Sequence, residues 1–296
     1  NGGTCTMRRY SRWLALLLAL VCLPLCALAA PTSGSFTCYG EDLSAEQYAA
    51  VLELLGTDLD NDTLISVSIK DEKALLNGLV DEDKMGSRSI SSARVTLLDE
   101  GAGIHVTTHN IDWVTANMYA SALATAGVEN ADIVVAAPVE VSGTAALAGI
   151  FKAYETASGQ VLSDVAKALA GEEMLTLGNL ADVIGTEEAE ELIAMGKQYA
   201  LENGLTDPEK ARPYVEEAAR QLGVSLSDSQ IDTITSLLIR IVEQDLSAEE
   251  IAKQLNALNS SIQKFEQVKQ GAATFFEKVK ITFQSIGDWF MGLFGR

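Results

Sequence analysis

Between Ser44 and Gly159 the spacing of apolar residues changes repeatedly, and each change marks an element. Ser44-Ala45-Glu46-Gln47 opens a helix by a capping box, with Tyr48, Val51, Leu52 and Leu55 on one face and Gly56 as its stop. "TLISVSI" alternates as a half-buried strand does, and "DEKALLNGLV" follows with the spacing of a short helix. "ARVTLLDEGAGIHVTTHN" has the pattern of a hairpin turning at Glu100 to Gly103. "TANMYASALATAG" predicts a helix stopped by Gly127, "ADIVVAAP" a strand, and Thr144 to Ala157 a further helix. The order is α-β-α-β-β-α-β-α. A hairpin within it predicts an α+β fold, a small mixed sheet with helices packed on it rather than a doubly wound parallel sheet.

After Gly159 the period becomes helical throughout. Val161, Val165, Ala168 and Leu169 form one stripe; Leu192, Ile193 and Met195 a second; Tyr214, Val215 and Ala218 a third; Ile231, Ile234, Leu237, Leu238 and Ile241 a fourth. The breaks "GTEE", "NGLTDPEKARP" and "DLSAEE" each join a helix stop to a capping residue. Ser227 and Gln230 repeat the Ser-x-x-Gln box of Ser44, a reuse of one capping device rather than a duplicated domain. From Ile262 an apolar stripe through Phe265, Phe275, Phe283, Phe290 and Leu293 predicts one long amphipathic helix. The expected organisation is an α/β-type domain over 38–158, an all-helical domain over 159–261 and the amphipathic C-terminal helix over 262–296.

Residues 1–30 are read as lead-in residues and a signal peptide. Met7 is taken as the start; Arg8, Arg9 and Arg12 precede the apolar run "WLALLLALVCLPL", and Ala27-Leu28-Ala29 fits a cleavage signal. The chain is therefore expected to be secreted or extracytoplasmic, cut near Ala29 or Ala30. Cys5, Cys22 and Cys26 lie in or before the leader, so the mature chain keeps only Cys38 and has no internal disulfide. Loss of the leader arginines takes the net charge from -20 to about -23, which disfavours nucleic acid and anionic lipid as electrostatic partners. "DLDND" at Asp58 to Asp62 lacks the glycine and distal glutamate of a calcium loop.

Chemistry-bearing residues are few. His105 and His109 share a strand face about 13 Å apart, too far to chelate one metal, and no metal site is expected. No dinucleotide fingerprint, phosphate-binding P-loop or G-x-S-x-G elbow occurs, and no cofactor is expected. The strand–loop–helix "VVAAPVEVSGTAALAGIFKAYE" offers Ser142, Gly143 and Thr144 at a helix N-terminus. There Ser142 or Thr144 caps the helix, or Gly143 lets an anionic ligand approach the backbone; capping is the favoured reading. Arg88 in "GSRSISSA", with His109 and Asn110, completes the ligand-binding candidates. A hydrolase built from His109, Asp112 and Ser142 is the rival. The terminal aromatics either pack or self-associate, which is favoured, or make weak peripheral membrane contact.

"GSRSISSA", "THNIDWVTANMYASALATAGVENADIVVAAP" and "VSGTAALAGIFKAYE" together closely resemble the YpuA-like family of secreted Gram-positive proteins, a domain of unknown function. The resemblance is strong over 86–159 and looser over the Ser44 helix and the helical half, and it leaves out the aromatic tail. It implies an extracytoplasmic protein and carries over no activity, substrate or catalytic residue. The function expected is a non-enzymatic binding or interaction module at the cell envelope, bound to an envelope component or to itself through the C-terminal helix; the alternative is an extracytoplasmic hydrolase or small-ligand enzyme using His109 and the 142–144 loop.

Overall fold

The computed structural model describes residues 34–76, 88–244, 246 and 248–255. The expected leader at 1–30 and the amphipathic helix at 262–296 lie outside them. The described elements are β1 (Ser35–Gly40), α1 (Ala45–Leu54), β2 (Thr63–Val67), α2 (Ile69–Leu76), β3 (Ser92–Leu97), β4 (Ile104–Ile111), α3 (Ala116–Thr125) and β5 (Ala131–Val141). The helices α4 (Ala146–Ser158), α5 (Asp164–Ile184), α6 (Thr186–Asn203), α7 (Pro208–Gln221), α8 (Asp228–Val242) and α9 (Ala248–Leu255) follow.

The fold is α+β, with a five-stranded mixed sheet in the order β2-β1-β3-β5-β4. β1 runs parallel to β2 and β4 parallel to β5, while β3 is antiparallel to both β1 and β5. The expected hairpin is therefore not formed. β3 and β4 are both present, but β5 lies between them. Composition explains the exchange. "ADIVVAA" is apolar on both faces and belongs at the sheet's centre, whereas "IHVTTHNI" carries Thr and His on one face and suits an edge. The turn at 100–103 is opened by Asn130 ahead of β5, whose side-chain oxygen accepts from Gly101 N at 2.9 Å and Gly103 N at 3.0 Å. β1, not foreseen, is short and buried on both faces, so it lacks the alternation that reveals a half-buried strand.

Strand parity separates two packed faces. Phe36, Cys38, Ala93, Val95, Ile133 and Val135 meet α3 and α4, and Val134 and Ala136 meet Val51 of α1 and Leu55 just after it. Both foreseen capping boxes are formed, at Ser44 with Gln47 and at Ser227 with Gln230. The core is continuous from the sheet through Met118 and Leu123 of α3 into Leu169 and Met174 of α5, Leu192 and Ile193 of α6, and Leu237 and Leu238 of α8. The stripe expected at Val161 and Val165 is corrected: they are 85% and 60% exposed. Ser163 caps α5 and turns Leu162, Ala166, Leu169 and Ala170 inward instead.

Candidate functional site

β1, β2, β4 and β5 all point one way, so their C-terminal ends and the start of β3 gather at one end of the sheet. In open α/β sheets this is where ligands bind. Arg88, just ahead of β3, and the 142–144 loop, just after β5, both lie at this end, and β3 and β5 are paired neighbours.

Arg88 Nη2 donates to the Asp42 carbonyl at 2.8 Å, Ser89 N to Asp42 Oδ2 at 2.7 Å, and Ser89 Oγ to the Val67 carbonyl at 2.8 Å. Ser92 Oγ accepts from Gly40 N at 3.2 Å. The Ser-rich stretch thus ties the ends of β1, β2 and β3 together.

The 142–144 loop is filled by the chain itself. Gly143 has φ +93°, and a Cβ there would fall 2.5 Å from both Ile111 Cγ2 and Tyr119 Oη. Tyr119, fully buried, donates its hydroxyl to the Gly143 carbonyl. Neighbouring carbonyls are also taken: Val114 N donates to Ser142 O and Asp112 N to Val141 O, each at 3.0 Å. No side chain caps α4, so the cap expected from Ser142 or Thr144 is corrected. Ala145 stands at the N-cap in helical geometry, and Ala146 N reaches back to Gly143 O at 3.1 Å. Glycine at 143 is needed for the close approach of Ile111 and Tyr119.

Thr144 instead turns its hydroxyl to Glu72 of α2, donating to Oε1 at 3.4 Å. Glu72 is 2% exposed, and its other oxygen, Oε2, has no hydrogen-bond partner. Burial pushes this carboxyl up to about 6, against weaker downward pulls from Thr144 and Lys73. Sequence reading passed over Glu72, although a signal was present: it lies three residues from both Ile69 and Leu75, on the inward stripe of α2.

His109 is placed elsewhere. It pairs with Ala136, whose side chain packs on α1, so His109 shares the α1 face while the 142–144 loop leads to α4 on the opposite face. Asn110, at φ 57°, closes a bulge: its Nδ2 donates to the Ala137 carbonyl at 2.8 Å where the register jumps from His109↔Ala136 to Ile111↔Val141. Of the triad residues, Asp112 and Ser142 are neighbours through backbone bonds, and His109 is not with them. Cys38 is buried with its thiol pushed up to about 12 by burial, which makes it a poor nucleophile. Among the described residues no three His, Cys, Asp or Glu side chains are arranged to hold a metal ion. In "DLDND", Asp58 accepts from Asp60 N and Asn61, and Asp62 pairs with Arg94 at 2.6 Å.

A polar seam that sequence reading missed joins "DWVTANMYASALAT" to the helices behind it. Trp113 Nε1 donates to Asp182 at 3.2 Å, with its ring against Gly178, where any Cβ would collide. Thr115 caps α3 and donates to Glu190 at 2.5 Å, and Asn117 donates to the other oxygen at 2.8 Å. At the seam's centre Lys197 Nζ lies 2.5 Å from Glu173 Oε1 and donates to Ser121 Oγ and Thr125 Oγ1, both at 2.9 Å. Ser121 and Thr125 donate their own hydroxyls to the two oxygens of Glu173, and the Ser121 carbonyl accepts from Lys197 at 3.0 Å. A catalytic Ser–Lys pair needs a neutral amine. Burial pushes the Lys197 ammonium down, with Glu173 pulling the other way, and the amine is tied to an acid rather than to a serine alone.

The model of the family described as protein of unknown function (DUF1002) matches residues 39–258. The chain is also 37% identical over 287 residues to the uncharacterized protein YpuA of Bacillus subtilis (strain 168), covering 95% of this chain and 98% of that protein, so the likeness runs on into the flanking residues. No solved structure matches the chain. The resemblance carried by "THNIDWVTANMYASALATAG" is thus a true kinship, and the chain belongs to the DUF1002 family.

Proposed function

We propose that this protein is a non-enzymatic binding or interaction module working outside the cytoplasm, at the cell envelope. The observation that carries the reading is the filled loop at the ligand-prone end of the sheet: Ile111 and Tyr119 occupy the space a substrate would need beside Gly143, and Glu72 takes the Thr144 hydroxyl. The basic, apolar and small-residue order of 7–30 supports export. N-terminal sequencing of the protein from the medium or envelope fraction is expected to begin at Ala30 or Pro31; a cytoplasmic chain retaining Arg8 to Leu28 overturns the location. In a thermal-shift screen of envelope-derived compounds, a specific ligand raises the midpoint without being consumed. Turnover lost on His109→Ala or Ser142→Ala would establish the enzyme instead.

Beyond the described residues, the organisation proposed is an amphipathic helix at 262–296 that follows the helical second half and through which the protein associates with itself. Deleting Phe275 to Arg296 is expected to lower the mass measured by light scattering. Unchanged mass, with vesicle binding lost, would assign the tail to a membrane surface.

A further inference from the structure

α2 is a short helix held at the sheet's ligand-prone end. Its first turn is fixed by Ser68, whose backbone N–H and hydroxyl both donate to Asp71 at 2.8 Å, and Asp71 is 3.9 Å from Lys152 of α4. The residue that binds its inner face is Glu72, a carboxyl shut away from water with a weak bond at one oxygen and none at the other. A buried carboxylate with a bare oxygen is costly, whereas the neutral acid loses most of that cost and gains a proton to donate.

We propose that α2 is a pH-gated latch: protonated Glu72 holds α2 against the 142–144 loop, and deprotonated Glu72 lets it lift. The surrounding groups leave Glu72 as the titrating one. From α3 comes the Tyr119 phenol, which burial and Glu72 itself keep protonated. The 142–144 loop contributes the neutral Thr144. On α2, Lys73 is the opposing cation, Lys70 is exposed, and Asp71 is capped by Ser68. On α4, Lys152 faces Asp71, Glu155 pairs with Lys167, and the Tyr154 hydroxyl accepts from Glu129 N. On α5, Lys167 also holds Asp164, Glu172 pairs with Arg240, Glu173 with Lys197, and Asp182 takes the Trp113 indole.

The docked pKa of about 6 lies above the ordinary 4.5, so docking is strongest below 4.5 and weakens as pH rises through 6. A shift of that size limits the change in the docked-to-lifted ratio to about 30-fold. The test is hydrogen exchange of the Ile69–Leu76 amides in the full chain at pH 5 and pH 7.5, with rates divided by their intrinsic values. Between those pH values the opening constant is expected to rise roughly tenfold while β5 amides hold steady, and Glu72→Gln should remove the difference. Opening that is unchanged with pH, that β5 shares, or that keeps its pH dependence in Glu72→Gln overturns the latch. Should Glu72→Gln fail to fold, carboxyl-carbon NMR of the wild type decides: a Glu72 midpoint near 6 supports the latch, and one at or below 4.5 ends it.

Discussion

Lys197→Met is expected to cost about 3–5 kcal/mol in a denaturant titration, because it leaves a charge buried without its partner. Lys197 and Glu173 are 1% and 0% exposed. With the ammonium gone, Ser121 and Thr125 still donate to Glu173, but two hydroxyls do not offset a carboxylate out of water. Removing both charges as Lys197→Met with Glu173→Leu should cost distinctly less than the sum of the single changes, since similar-sized apolar groups fill the space without a stranded ion. A single-variant loss under 1 kcal/mol, or strict additivity of the pair, would mean that water reaches the seam and that it does not join the sheet to α5 and α6 as drawn.

The seam also shows how far the sequence could be read. Both Ser-x-x-Gln boxes, the glycine stops and the breaks between helices were legible because each depends on residues three or four positions apart. The mixed sheet was legible as a class but not in its order. Pairing β5 with both β3 and β4 is a long-range choice, and the short turn at 100–103 suits a hairpin equally well. Its one clue was relative polarity, with β5 apolar on both faces and β4 on one.

The candidate site was legible only in part. Arg88 and the 142–144 loop do come to one end of the sheet, but the polar residues singled out there are taken up by ties within the fold, Arg88 by the Asp42 carbonyl and Thr144 by Glu72. The groups with unusual surroundings, Glu72, Glu173 and Lys197, sit on helices where a charged residue ordinarily signals a solvated face. Glu72 alone carried a local sign, its place on the apolar stripe of α2. Lys197 and Glu173 become recognisable only when α3, α5 and α6 are packed, because their partners are 76 and 48–52 positions away in the chain.

At Gly143 the expectation from sequence reverses. If the residue were glycine so that a ligand could reach the backbone, Gly143→Val would spoil binding and spare the fold. The structure makes the fold the casualty: φ +93° is strained for a β-branched residue, and the new Cβ meets Ile111 and Tyr119 at 2.5 Å. Left-handed strain of about 1–2 kcal/mol and overpacking of about 1–3 kcal/mol predict a loss of about 3 kcal/mol or more, read as a lowered denaturation midpoint. Ser142→Ala, at an exposed side chain beside it, should stay within about 0.5 kcal/mol. Tyr119→Phe separates collision from conformation. It removes the hydroxyl that Gly143→Ala would strike, so the two changes together should cost less than their sum, with the shortfall measuring the contact. A Gly143→Ala protein within 1 kcal/mol of wild type would show that the loop stands clear of Tyr119, and the space beside it would again be open to a ligand.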